Sequence, residues 1–128
     1  MSLKRITQFF NPSSVAVIGA SNISTRAGFV VMRNLLQGGF KGPIMPVTPS
    51  HSAVHGVLAY PSIADLPKVP DLAVICTNKN TLIDIIEQLG ELGCKTAIVI
   101  ADGLSGEQKS ALKACAQAKQ VTLLGPNC

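Results

Sequence analysis

Val15-Ala16-Val17-Ile18-Gly19-Ala20-Ser21-Asn22, followed by Arg26-Ala27-Gly28, decides how this chain is read. Four consecutive apolar residues without polar alternation suit a strand buried on both faces, as in a parallel sheet covered by helices. The run stops at a glycine, which permits a tight turn, and helical patterning begins a few residues later. Such a turn aims backbone amides and the positive end of a helix at one spot, a ready seat for phosphate oxygens. The amides of Ala20 to Ile23 are the expected donors; Ser21 and Asn22 add side-chain donors and Arg26 adds charge.

Outward from that turn, apolar runs recur at Leu72 to Cys76, Ala97 to Ala101 and Val121 to Leu124. A weaker segment, Pro43 to Val47, reads as another strand with its prolines at the ends rather than in the middle. Helical periodicity spans about Ala27 to Leu36, with Phe29, Met32, Leu35 and Leu36 inward and Gly38-Gly39 as the stop. It returns from Leu82 to Leu92, where Asn80 or Thr81 caps the start and Gly90 and Gly93 loosen the end. A third helix runs from Ser105 or Gly106 to Ala118 with Leu112, Cys115 and Ala116 inward, and Ser62 to Leu66 fits one helical turn between prolines. This alternation predicts an α/β, Rossmann-like, doubly wound parallel sheet of five strands, helices on both faces, in the order 3-2-1-4-5.

At 128 residues the chain makes one domain, and 47% apolar with 14% charged residues excludes a disordered segment. No run approaches the roughly 18 apolar residues of a membrane span, and no signal-type run follows Lys4-Arg5, so the expected setting is cytoplasmic with no membrane partner. Cys76, Cys94, Cys115 and Cys128 are far apart, with no C-x-x-C pair, and read as reduced thiols rather than zinc ligands; terminal Cys128 is expected to be exposed. Lys4, Arg5, Arg26, Arg33 and Lys41 all precede the first acidic residue, Asp65, a lopsided charge that favours phosphorylated ligands. A single Tyr, no Trp and no dense basic cluster argue against nucleic acid.

The glycine turn departs from the dinucleotide fingerprint, because G-x-G-x-x-G needs glycine where Ser21 stands. Nor does the end of the second strand, Pro46-Val47-Thr48-Pro49-Ser50-His51, offer a carboxylate for ribose hydroxyls. A nucleotide carrying an extra phosphate near its ribose meets no repulsion there. Coenzyme A, with its 3′-phosphate, fits that absence, as does NADP with its 2′-phosphate.

Ser14-Val-Ala-Val-Ile-Gly-Ala-Ser21, Pro46-Val-Thr-Pro49 and Leu124-Gly-Pro-Asn-Cys128 resemble the CoA-binding domain of NDP-forming acyl-CoA synthetases, which also opens the succinyl-CoA synthetase α-subunit. Arg26-Ala-Gly-Phe29, Met32-Arg-Asn-Leu-Leu36 and Gly38-Gly-Phe-Lys-Gly-Pro43 look closer still to bacterial Pat-type protein lysine acetyltransferases, which carry this module ahead of a GNAT domain. The resemblance implies coenzyme A or acetyl-CoA as ligand. It places Gly19, Ala20, Ser21, Asn22 and Ile23 on the phosphates and Thr48, Pro49, Ser50 and His51 at the adenosine end. Thr77 and Asn78, then Ala101, Asp102 and Gly103, follow at the ends of strands three and four.

Where the synthetases often have a lysine after Thr-Pro, this chain has Ser50-His51, a weaker and pH-dependent contact. The phosphohistidine of the synthetases lies in a later domain, so His51 reads as a loop imidazole near the nucleotide, and His55 is not the phosphocarrier. The chain holds no nucleophile with its base, metal cluster or carboxylate pair, so catalysis is not expected from it alone. The leading expectation is the N-terminal CoA or acyl-CoA module of an acetyltransferase, with further domains of the same polypeptide beyond Cys128. The alternatives are an ADP-forming acyl-CoA synthetase, a freestanding CoA-binding protein and an NAD(P)-responsive regulator.

Overall fold

In the computed structural model, residues 3–126 are described. Asn127 and Cys128, and with them the expected exposed terminal thiol, lie outside the described residues. The elements run α1 (Leu3–Phe10), β1 (Val15–Ile18), α2 (Ala27–Gln37), β2 (Ile44–Val47), β3 (Ala53–Val54), β4 (Val57–Leu58), β5 (Leu72–Ile75), α3 (Leu82–Leu92), β6 (Thr96–Val99), α4 (Gly106–Ala118) and β7 (Thr122–Leu124). Single 3-10 turns occupy Ile63–Asp65 and Lys79–Thr81. The first of these is the helical turn expected between Pro61 and Pro67.

β1 is buried at every position, and its side chains alternate between two cores. Val15 and Val17 join Phe9, Met32, Val54, Leu72 and Val74 on the α1/α2 side. Ala16 and Ile18 join Ile75, Ile86, Leu89, Leu112 and Ala116 on the α3/α4 side. Both faces of the sheet are therefore covered, which is why its strands read as unbroken apolar runs. On α2, Met32 is buried while Leu36 is 41% exposed, so the expected inward face loses its last member. Cys115 on α4 is likewise only half-buried, whereas Leu112 and Ala116 are buried.

The five parallel strands stand in the order β2-β1-β5-β6-β7, which in strands counted along the main sheet is 2-1-3-4-5 rather than the expected 3-2-1-4-5. Pro46 explains the difference. It is the third of the four residues of β2 and pairs with Val17. Its carbonyl points away from β1 and accepts the Tyr60 N–H at 2.9 Å. Its nitrogen faces the same way, so no donor exists where a further strand would need one, and β2 is confined to the edge. The third strand instead pairs with the free side of β1.

Two elements were not legible as such: α1, and the β3–β4 hairpin that follows β2. Of α1, Phe9 alone is buried, a contribution of about 1.5–3 kcal/mol for a fully buried aromatic. The hairpin pairs Ala53 with Leu58 and Val54 with Val57.

Candidate functional site

β1 ends at Ile18, and Gly19 turns the chain with φ of 87°. A Cβ at Gly19 would stand 2.8 Å from Thr77 Cγ2 and 2.9 Å from the Cys76 carbonyl oxygen, so only glycine passes the end of β5 here. Gly28, in the first turn of α2, would put a Cβ 2.0 Å from the Gly19 carbonyl oxygen. Its bare backbone lets the helix start directly against the turn. α2 begins with no side-chain cap and no acidic residue in its first turn, which leaves its positive end open to an anion.

The hydrogen bonds of the turn narrow the set of available amides. Gly19 and Ala20 both donate to the Val47 carbonyl, at 3.0 and 3.3 Å, continuing the β1–β2 ladder past the strand end. Ile23 N–H donates to Ser21 Oγ at 2.9 Å. The expectation that Ala20 through Ile23 all offer their amides is corrected accordingly: of these four residues, Ser21 and Asn22 are the two whose N–H groups have no acceptor among the described residues. The Ser21 hydroxyl, accepting from Ile23, keeps its own proton for a further acceptor.

Around this turn the C-terminal edge of the sheet opens into a cleft of about 400 Å³, within the range of small-ligand sites. Gly19, Ala20, Ser21, Ile23 and Arg26 form one wall. Thr48, Pro49, Ser50 and His51, from the end of β2, form the other, and Cys76, Thr77 and Asn78 lie at the end of β5. Among the described residues, no carboxylate lines it. Of the five cations of the N-terminal half, Arg26 reaches the cleft, while Lys41 lines a hollow with Asn11, Ser13 and Gly38. Cys76 is a lining residue that sequence reading assigned to the strand. It follows the last residue of β5, and burial pushes its thiol up to about 11.

Three expected site residues stand apart from the cleft, and a fourth turns its side chain away from it. Ala101, Asp102 and Gly103 follow β6, which is separated from β1 by β5; two strand spacings amount to roughly 10 Å. In the 3-2-1-4-5 order the fourth strand would have lain beside β1 and carried them to the glycine turn. They stay on the same sheet edge, where Ala101 and Asp102 line a neighbouring hollow of about 520 Å³ with Ile100, Leu124 and Pro126. Lys79, which sequence reading passed over, ties the two regions: its Nζ donates to the Gly103 carbonyl at 2.9 Å. The fourth residue, Asn22, turns its side chain to the hairpin, donating to the Ala53 carbonyl at 3.0 Å and accepting from His55 N–H at 3.1 Å.

The crossovers leave β1 toward β2 on one side and β5 toward β6 on the other, so the cleft lies at the topological switch point where sheets of this kind hold nucleotides. Fold and site together define a Rossmann-like nucleotide-cofactor domain. The chain belongs to the CoA binding domain family, whose profile matches residues 13–128.

Among curated proteins it is similar to the ADP-forming acetate–CoA ligase of Methanocaldococcus jannaschii, 34% identical over 121 residues that cover 91% of this chain and 17% of that protein. It is also similar to a trans-feruloyl-CoA synthase from an unknown prokaryotic organism, 35% identical across 99% of this chain and 19% of that protein. Among solved structures, the dinucleotide-forming acetyl-coenzyme A synthetase 1 of Ca. Korarchaeum cryptofilum, in complex with phosphate and ADP, superposes with a TM-score of 0.92 at 34% identity, over 98% of this chain and 28% of that one. The chain thus spans less than a third of the length of each of these relatives.

Proposed function

We propose that this chain is the CoA-binding module of an ADP-forming acyl-CoA synthetase, holding CoA across the cleft at the ends of β1, β2 and β5. The observation that carries the reading is a cleft free of carboxylates that joins two unbonded amides, the uncapped start of α2 and Arg26. The diphosphate is assigned to the backbone N–H groups of Ser21 and Asn22 and to Arg26, the adenosine end to Thr48 through His51, with Thr77 and Asn78 between them. The pantetheine arm then follows the sheet edge toward Ala101, Asp102 and Gly103. The ligase and synthase relatives support this reading over the acetyltransferase one, which rests on motifs of α2 and the turn after it. Further domains of the polypeptide would supply the acyl chemistry, as the greater length of the relatives suggests. Unpaired Cys76, Cys94 and Cys115 support a reducing, cytoplasmic setting.

Calorimetric titration with CoA, dephospho-CoA and NAD at low salt tests the assignment. CoA is expected to bind tightest, with the 3′-phosphate contributing about 1–3 kcal/mol through a charge-assisted contact. Equal affinity for CoA and dephospho-CoA would remove the adenosine-end assignment, and tighter binding of NAD would overturn the CoA reading.

A further inference from the structure

The two side-chain hydrogen bonds of Asn22 join parts of the chain 31 and 33 residues apart, and both partners belong to the β3–β4 hairpin. Two residues per strand give that hairpin no stability of its own. It is held from outside: Val54 is fully buried in the core under α2, and the His55 ring packs on Phe29 with centroids 4.4 Å apart. At its tip it tolerates two unfavourable features. His55 is a non-glycine residue at φ of 51°, and its Nε2 is buried without a hydrogen-bond partner among the described residues. Geometry of that kind is imposed by neighbours rather than chosen by the hairpin's own sequence.

The hairpin in turn bounds the second wall of the cleft. Ala59 N–H donates to the Ser52 carbonyl, and Thr48 N–H donates to the Tyr60 carbonyl, both at 2.9 Å. The Thr48–His51 loop is thus strung between β2 and the hairpin, while the glycine turn is bonded to the hairpin through Asn22.

We propose that Asn22 is a positioning residue, whose side chain locks the glycine turn and the Thr48–His51 loop into one frame so that a ligand spanning both walls meets them already aligned. The proposal rests on the CoA reading and deepens it. Walls that moved independently would have to be ordered at binding, and that ordering would weaken the complex. The backbone N–H of Asn22 remains available to the ligand, so side chain and main chain serve different ends.

The test is calorimetry of the wild type and Asn22→Ala with CoA and with inorganic pyrophosphate at low salt, paired with hydrogen exchange at the His55 amide. The variant is expected to bind CoA roughly tenfold more weakly. Pyrophosphate, which spans the turn alone, is expected to bind both proteins alike. In the wild type, CoA is expected to slow exchange at His55 although that amide lies outside the cleft, as reciprocal coupling requires. Equal losses for both ligands would assign Asn22 a direct contact and overturn the positioning role. Unchanged CoA affinity would do the same, as would a wild-type His55 amide indifferent to CoA, a measurement that stands even if the variant unfolds. A wild-type chain that binds no CoA would sink the binding reading and this proposal together, an outcome distinct from the other three.

Discussion

Gly28 shows what a single missing methyl group does for this site. Its Cα faces the Gly19 carbonyl so closely that a Cβ would come within 2.0 Å of oxygen and 2.9 Å of the carbonyl carbon. Those atoms are backbone, which has no rotamer to yield, so Gly28→Ala forces α2 away from the glycine turn. The expected cost is about 1–3 kcal/mol, as for other overpacked contacts. CoA binding should weaken as well, because the helix end is displaced from the phosphate position. A urea midpoint and a CoA titration unchanged from the wild type would show that the helix does not need this approach. The glycine was legible in sequence as part of the turn, but its reason was not, since the contact depends on the angle at which α2 meets β1.

Among the elements, α4 was the most legible, because its signals are local. Ser105 Oγ accepts from Gln108 N–H at 3.1 Å, and Gln108 Oε1 accepts from Ser105 N–H at 2.9 Å, a reciprocal capping box between residues three apart. Ser105→Ala should therefore cost about 1 kcal/mol and speed amide exchange in the first turn of α4. A variant as stable as the wild type would mean that solvent replaces the cap without loss. The strand order was less legible, because an apolar run such as Leu72–Ile75 shows that a strand is buried on both faces and not which strand lies beside it. Pro46 held the missing information. Taken as standing at the end of its run rather than in the middle it says little, but as the third of four residues, where the structure places it, it marks an edge strand. The hairpin escaped notice because two-residue strands carry no periodicity, and α1 because one buried aromatic does not make a stripe. The distance of Ala101, Asp102 and Gly103 from the turn follows from the strand order alone, whereas the turn and the Thr48–His51 loop were legible as neighbours because β1–β2 pairing is common to both topologies.

At the scale of the whole molecule, the sheet is coated on both faces, and each face holds a thiol away from solvent: Cys94 lies buried in the α3/α4 core and half-buried Cys76 packs against the α1/α2 core. Burial pushes both thiols from an ordinary value of 9.0 up to about 11. Because the raised value belongs to the folded state, the unfolded chain releases these protons first as the pH rises. The stabilisation is complete below pH 9, falls progressively between about pH 9 and 11, and falls no further once the folded thiols have also ionised. Thermal unfolding midpoints are therefore expected to drop across that window. The Cys76→Ala/Cys94→Ala double variant, although less stable throughout because of the cavities it opens, should drop less steeply. Every other ionisable group is common to both proteins, so the difference in slope isolates the two cysteines. Parallel curves would show that the folded interior does not hold these thiols in their neutral form, and the tight packing of the sheet between its helices would then not extend to the Cys76 end of β5, where the cleft begins.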